Sequence, residues 1–315
     1  MPKKGPQYRF GIGEWYGRSF LSLPPVERAR YAELQFDGGA VPDCPFVGSP
    51  CSKPGGVCSL RSYERASEIS AVTVDRRGST FRTICPTRFE QSGEIYRWIG
   101  EVVVGEPHAV PLGQINFLER VPLIGALTVQ GAKPPKEVGR IDNVLVVPNS
   151  TPLSWCAVEV QAVYFSGKNM RLHFQEIREA GGAITLSEHN RRPDYRSSAP
   201  KRLMPQLQIK VPTLSRWGKK MAVVIDEDFF KAMGQMDAVA DLSNGDVAWF
   251  VVRYRENGNE VHLERGEVMF TTLDNAVDGL IAGKPPAIEK FEAKIRDRLL
   301  KLEPNQGGGR SEARA

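Results

Sequence analysis

Several features that would place this chain in a familiar class are missing. No apolar run is long enough to span a bilayer; residues 121–129 come nearest and fall far short. The N-terminus, Met1-Pro2-Lys3-Lys4-Gly5-Pro6, leads into no apolar signal core, so a cytoplasmic protein with no membrane partner is expected. A glycine-rich phosphate loop of the nucleotide-binding type does not occur, which argues against that enzyme class. The histidines, His108, His173, His189 and His262, are scattered, and none has a neighbour that suggests a metal ligand or a catalytic triad. Internal repeats are absent, which excludes a solenoid. Charge of one sign is not strongly in excess: the formal net charge is +5, compatible with a polyanion partner and not diagnostic of one.

What remains is a chain of 315 residues, 41% hydrophobic and 25% charged, long enough for one large core or two modest ones. Its 23 prolines and 30 glycines point to many loops and short elements. Cysteine is sparse but uneven. Cys44, Cys51, Cys58 and Cys85 fall early, and Cys156 stands alone. A reducing cytoplasm disfavours disulfides, and thiolates are soft donors that suit tetrahedral zinc or iron. The intervals are too long for a zinc ribbon. The surrounding prolines and glycines leave a loop that a metal could hold in place. Cys156 alternates with Val158 and is expected to pack.

Two segments carry the chemistry. Gly139-Arg140-Ile141-Asp142-Asn143-Val144-Leu145-Val146-Val147 and Trp155-Cys156-Ala157-Val158-Glu159-Val160-Gln161-Ala162-Val163-Tyr164-Phe165 both read as strands. Pro148-Asn149-Ser150-Thr151-Pro152 is the turn between them. Paired as a hairpin, they bring Asp142 near Glu159, and Gln161 falls two residues on, on the same face. Two carboxylates on a largely apolar sheet need compensation, and a divalent cation is the usual form. This is the layout of a magnesium-dependent nuclease, in a variant with Gln161 where the usual pattern ends in Lys.

Elsewhere, the pattern predicts a helix opening at Pro24-Pro25, a strand over residues 95–104 and a helix over 114–123. It predicts a helix over 172–180, strands over 207–211, 221–225, 247–254 and 262–270, and an amphipathic helix over 286–302 whose apolar stripe faces the core. Residues 188–202 form the most basic segment and read as a loop. There Arg191, Arg192, Arg196, Lys201 and Arg202 surround Tyr195, a composition suited to phosphates and guanine edges. The expected division is 1–90 for the cysteine region, 91–302 for a core with recognition elements, and 303–315 for a frayed tail.

Together, these segments resemble the NotI family of type II restriction endonucleases. The resemblance rests on Glu14-Trp15-Tyr16-Gly17, Cys44-Pro45-Phe46, Gly55-Gly56-Val57-Cys58-Ser59-Leu60, Arg140-Ile141-Asp142-Asn143 and Glu159-Val160-Gln161. It implies an α/β fold: a PD-(D/E)XK nuclease core with a mixed central sheet flanked by helices, plus the loop-rich four-cysteine region. In that family the Glu-x-Gln ending is a familiar variant. The resemblance also implies that Cys44, Cys51, Cys58 and Cys85 hold structural iron, with zinc left open by the sequence. It implies Mg²⁺-dependent double-strand cutting of a short GC-rich palindrome by a homodimer. Asp142 and Glu159 would hold the magnesium, with the Val160 carbonyl and Glu119 as further candidate ligands, and Gln161 would orient water. Arg191, Arg192, Arg196, Lys201 and Arg202 would contact double-stranded DNA, and a cognate methyltransferase is expected. Two other readings fit the residues: a non-catalytic metal-stabilised DNA-binding protein, and less well an iron electron carrier.

Overall fold

The computed structural model describes residues 8–65, 72–74, 81–119, 137–167, 170–185, 191–281 and 286–302. The central sheet contains β1 (Tyr8–Trp15), β2 (Arg18–Ser19), β3 (Val57–Arg65), β4 (Val72–Val74), β5 (Val110–Pro111), β6 (Asn143–Val147), β7 (Ser154–Val160), β8 (Met221–Asp226), β9 (Val247–Asn257) and β10 (Glu260–Thr271). Their order across the sheet is β4-β3-β1-β2-β10-β9-β8-β7-β6-β5, with Arg82–Thr83 pairing beside β3. The middle strands β7, β8 and β9 are parallel, and β6 and β10 flank them antiparallel. The cysteine region joins the same sheet, because Arg18 on β2 pairs with Glu260 on β10.

Helices α1 (Pro25–Asp37), α2 (Glu94–Ile99), α3 (Arg171–Glu179), α4 (Tyr195–Ser198), α5 (Met204–Arg216), α6 (Glu227–Ala232) and α7 (Leu273–Ile281) flank the strands, and α8 (Ile288–Leu302) follows them. Over their paired lengths the parallel strands are largely apolar, as strands buried on both faces must be, with Glu159 and Asp226 as the charged exceptions. Alternate residues divide between two cores. Ala157, Val223, Ile225 and Trp249 pack against Leu203, Leu207, Val211 and Leu214 at and before α5. Cys156, Val158, Val224 and Phe250 pack against Ile95, Trp98 and Ile99 of α2. Cys156 is a packing residue, as its spacing implied.

Several local expectations are corrected. Residues 95–104 form α2 and a following wide helical turn, Gly100–Val104, not a strand. A short apolar run does not distinguish a buried helix from a strand. Within 114–123, Ile115–Glu119 is a strand antiparallel to Glu137–Ile141, and 120–136 lie outside the described residues. Residues 207–211 lie inside α5, where Leu207, Val211 and Leu214 make a helical stripe and Pro205 occupies the first turn. The basic segment is largely helical: α4 continues through the Ala199–Leu203 turn into α5, while 186–190 lie outside the described residues. The stripe of α8 does not face the core. Ile288, Phe291, Ile295 and Leu299 are exposed.

Candidate active site

The run 139–147 is not one strand. It breaks at Asp142, with Glu137–Ile141 in the two-stranded ribbon and β6 in the central sheet. The β6–β7 register runs from Asn143 opposite Val158 to Val147 opposite Ser154. Continued by one residue past Asn143, it sets Asp142 opposite Glu159. The break frees Asp142 from both ladders. Asn143 pins the strand beside it: its amide nitrogen donates to the Tyr96 hydroxyl at 2.9 Å, and its oxygen accepts from the Gly113 amide at 3.0 Å.

Glu159 shares the face of Ala157, the face that α5 covers. It is 5% exposed. Burial pushes its carboxyl up to about 7, and the neighbouring Asp142 adds to the rise by charge and by a side-chain hydrogen bond, while Lys210 opposes it. The two acids predicted to converge therefore do so. Sequence reasoning missed Lys210, whose ammonium lies 2.5 Å from the Glu159 Oε2 and is buried. The available signal was a single lysine inside the stripe Leu207, Val211, Leu214, hidden while that stretch was read as a strand.

Gln161 lies just beyond the end of β7. Its backbone amide donates to the Val224 carbonyl at 3.0 Å, and its side-chain nitrogen donates to the Ala162 carbonyl at 2.6 Å. The group is thus held close to the acids while turned along its own chain. Glu119 ends the ribbon strand, with its backbone paired to Glu137. Among the described residues, no group of three or more His, Cys, Asp or Glu side chains is gathered to hold a metal ion. The acid pair supplies two hard oxygen donors, which suits Mg²⁺, an ion that keeps waters and takes substrate phosphate as further ligands.

The basic residues divide by exposure. Arg192, Arg196, Lys201 and Arg202 are exposed, whereas Arg191 is 3% exposed and lies beside Glu176. The Arg202 guanidinium stacks on Tyr164 at 3.7 Å, and Tyr164 is itself half exposed. Two hydrogen bonds bind this helical run to Tyr164, just beyond β7: the Asp194 amide donates to the Tyr164 carbonyl at 2.6 Å, and the Tyr164 amide donates to Ser198 Oγ at 2.7 Å. These links fasten the helical run, on which Arg196, Lys201 and Arg202 are exposed, to the chain that follows β7.

Cys44, Cys51, Cys58 and Cys85 are all free thiols. They lie in one neighbourhood: Cys51 feels the charges of Cys44 and Cys85, and Cys58 that of Cys85. Burial pushes the Cys58 thiol well up and Cys51 upward. Another buried acid, Asp226, is raised to about 6 by burial, but it accepts from the Phe229 and Thr83 amides at 2.8 Å and serves as the cap of α6.

Comparison with known proteins decides the class. The family model described as restriction endonuclease NotI matches residues 30–265. The chain belongs to the NotI family. Among curated proteins, none matches it. A NotI-family chain is a restriction endonuclease, a site-specific deoxyribonuclease acting on double-stranded DNA. That membership sets aside the binding-only and electron-carrier readings. Among the described residues, no helix is long and apolar enough to cross a membrane.

Glu159 gives this NotI-family enzyme a pH signature. Were Glu159 a metal ligand, the cleavage rate at limiting Mg²⁺ should climb about tenfold per pH unit toward a plateau above the Glu159 value of about 7, because a metal would have to displace the proton. Raising Mg²⁺ should move the midpoint to lower pH. In metal-free protein the sign for stability is opposite. A raised carboxyl favours the folded state below its ordinary 4.5 and loses that contribution as pH rises through about 7. Initial rates across pH at two Mg²⁺ concentrations, with melts in EDTA, test both statements. A rate that stays flat down to about pH 5 would remove Glu159 from metal binding.

Proposed function

We propose that this protein is a type II enzyme that makes Mg²⁺-dependent double-strand cuts at a short GC-rich palindrome and acts as a cytoplasmic homodimer. The observation that carries the reading is the meeting of Asp142 and Glu159 at the strand break of a NotI-family chain. Asp142 and Glu159 would hold the metal, with the Val160 carbonyl and Glu119 as further candidates. Bound there, Mg²⁺ supplies a water of lowered pKa and offsets charge on the phosphate oxygens. Gln161 is neutral, so it would orient the attacking water by its amide and could not act as base or cation.

Sequence readout would fall to Arg192, Arg196, Lys201 and Arg202, which are exposed. Arg forks onto guanine edges in the major groove, so arginine readers suit a GC-rich site. Arg191 would join them only if its buried side chain turned outward. A symmetric target would mirror a two-fold dimer, and a cognate methyltransferase would protect the host's own sites. Alanine at Lys201 or Arg202 should weaken binding, and each lost phosphate contact should lower the salt slope by about one. Binding at several salt concentrations, with Ca²⁺ in place of Mg²⁺, reads this directly.

The four cysteines would hold a structural iron or zinc. Support comes from the donor type and from the mutual influence of the thiols. A bound cation would compensate the thiolates that burial otherwise disfavours. Elemental analysis of the purified chain distinguishes the two metals.

The decisive experiment for the function is digestion of long, unmethylated, GC-rich DNA with Mg²⁺ and with EDTA. Discrete fragments only with Mg²⁺, with ends mapping to one palindrome, are the expected result. Intact DNA under both conditions, from folded and metal-loaded protein, would overturn it.

A further inference from the structure

One charged side chain at the site belongs to neither catalytic strand. Lys210 sits on the inward face of α5 among Leu207, Val211 and Leu214, and is 2% exposed. Its Nζ donates to Oε2 of Glu159 at 2.5 Å. Burying an ammonium costs several kcal/mol even when it is paired, and an apolar residue of similar size usually serves packing as well or better. Every other buried member of this helix face is apolar. Packing therefore does not account for a lysine here.

The chemistry of the site does. Two carboxylates, Asp142 and Glu159, stand side by side. The position two residues after Glu159, where a strand lysine would bring a positive charge, holds Gln161, and its amide points to the Ala162 carbonyl. Phosphate cleavage builds negative charge, and a fixed cation near that charge is among the strongest aids a protein provides. Lys210 is the one lysine or arginine that an ion pair joins to Glu159 among the described residues.

We propose that Lys210 is the cation of the cleavage site, delivered through space by α5 in place of the lysine that the strand lacks at position 161. It acts through Glu159 as a positioning residue. By holding Oε2 it fixes the carboxylate and would leave the other oxygen for a metal. Its positive charge would act on the site through Glu159. The inference rests on the assignment of Asp142 and Glu159 as the metal-holding pair.

The test uses the full-length protein, one DNA substrate and a Mg²⁺ titration. Lys210→Met should cut on the order of 10²-fold more slowly or worse and require more Mg²⁺ for half-maximal rate, while still binding DNA in Ca²⁺. Lys210→Arg should retain part of the activity. Adding Gln161→Lys to Lys210→Met should restore about tenfold or more, because a strand lysine then provides the missing charge. A merely structural lysine would not be rescued by a charge at position 161. Wild-type cutting by Lys210→Met, or loss with neither rescue nor a changed Mg²⁺ dependence, overturns the proposal. If Lys210→Met does not fold, Lys210→Gln, a donor without charge, takes its place under the same criteria. Parallel Asp142→Asn and Glu159→Gln variants separate the two claims. If they are inactive while Lys210→Met is normal, only Lys210 is misassigned; if they also cut, the acid pair itself is wrong.

Discussion

Asp142→Asn and Glu159→Gln should each lower cleavage by on the order of 10³-fold or more while DNA binding in Ca²⁺ stays close to wild type. Both substitutions keep shape and remove charge, so they report on chemistry and not on packing. Glu159 is the more telling of the two. Its carboxyl is buried against Lys210 and Asp142, so an amide there leaves the Lys210 ammonium without its anion. Single-turnover cleavage, measured beside binding and thermal unfolding, separates these effects. Binding that vanishes with cleavage would mean that the acids shape the DNA surface. Undiminished cleavage in either variant would remove that residue from the metal site.

The largest effect on stability should come from Arg88, far in sequence from the acids. Its guanidinium is fully buried and donates to Glu14 Oε1 at 2.7 Å, Gln91 Oε1 at 2.9 Å and the Val261 carbonyl at 2.7 Å. The rings of Tyr254 and Phe46 lie against it at 4.6 and 4.7 Å. Glu14, equally buried, also accepts from Ser59 Oγ at 2.7 Å. Burial pushes the Glu14 carboxyl upward and the Arg88 guanidinium opposes it. Arg88 thus ties β1, β9, β10 and the cysteine loop together, and Glu14 adds β3 through Ser59. Arg88→Met would strand a buried carboxyl, and breaking such a pair costs roughly 3–5 kcal/mol. For a chain of this length the melting temperature should fall by about 6 °C or more. The double variant Arg88→Met with Glu14→Met should recover much of that loss, since apolar replacement of both partners removes the stranded charge. A single variant that melts like wild type would show that the pair carries no net stability.

The acid pair is legible in the amino-acid sequence because strand periodicity is local. Glu159 interrupts an otherwise apolar strand, and an antiparallel partner reached through a short turn leaves few registers open. The NotI motifs strengthen that reading with residues that are themselves close in the chain. Sequence reasoning fails where a short segment has two acceptable forms. Residues 95–104 and 207–211 are apolar at spacings that fit a strand or one face of a helix, and the choice is made by the sheet against which they pack. The break at Asp142 is equally invisible, because Ile141 and Asn143 suit strands on either side of it.

By itself, then, the sequence determined that this is an α/β nuclease of the NotI family and that Asp142 and Glu159 lie on neighbouring segments that pair. Local pattern and short-range pairing suffice for those conclusions. Only the tertiary structure decided that α5 crosses the active face and sets Lys210 on Glu159, that Arg191 is buried while Arg202 stacks outward on Tyr164, and that the stripe of α8 is exposed. Each of these depends on which surface a distant element covers. Sequence spacing specifies the face a residue occupies on its own helix or strand, but not the element that will be packed against it.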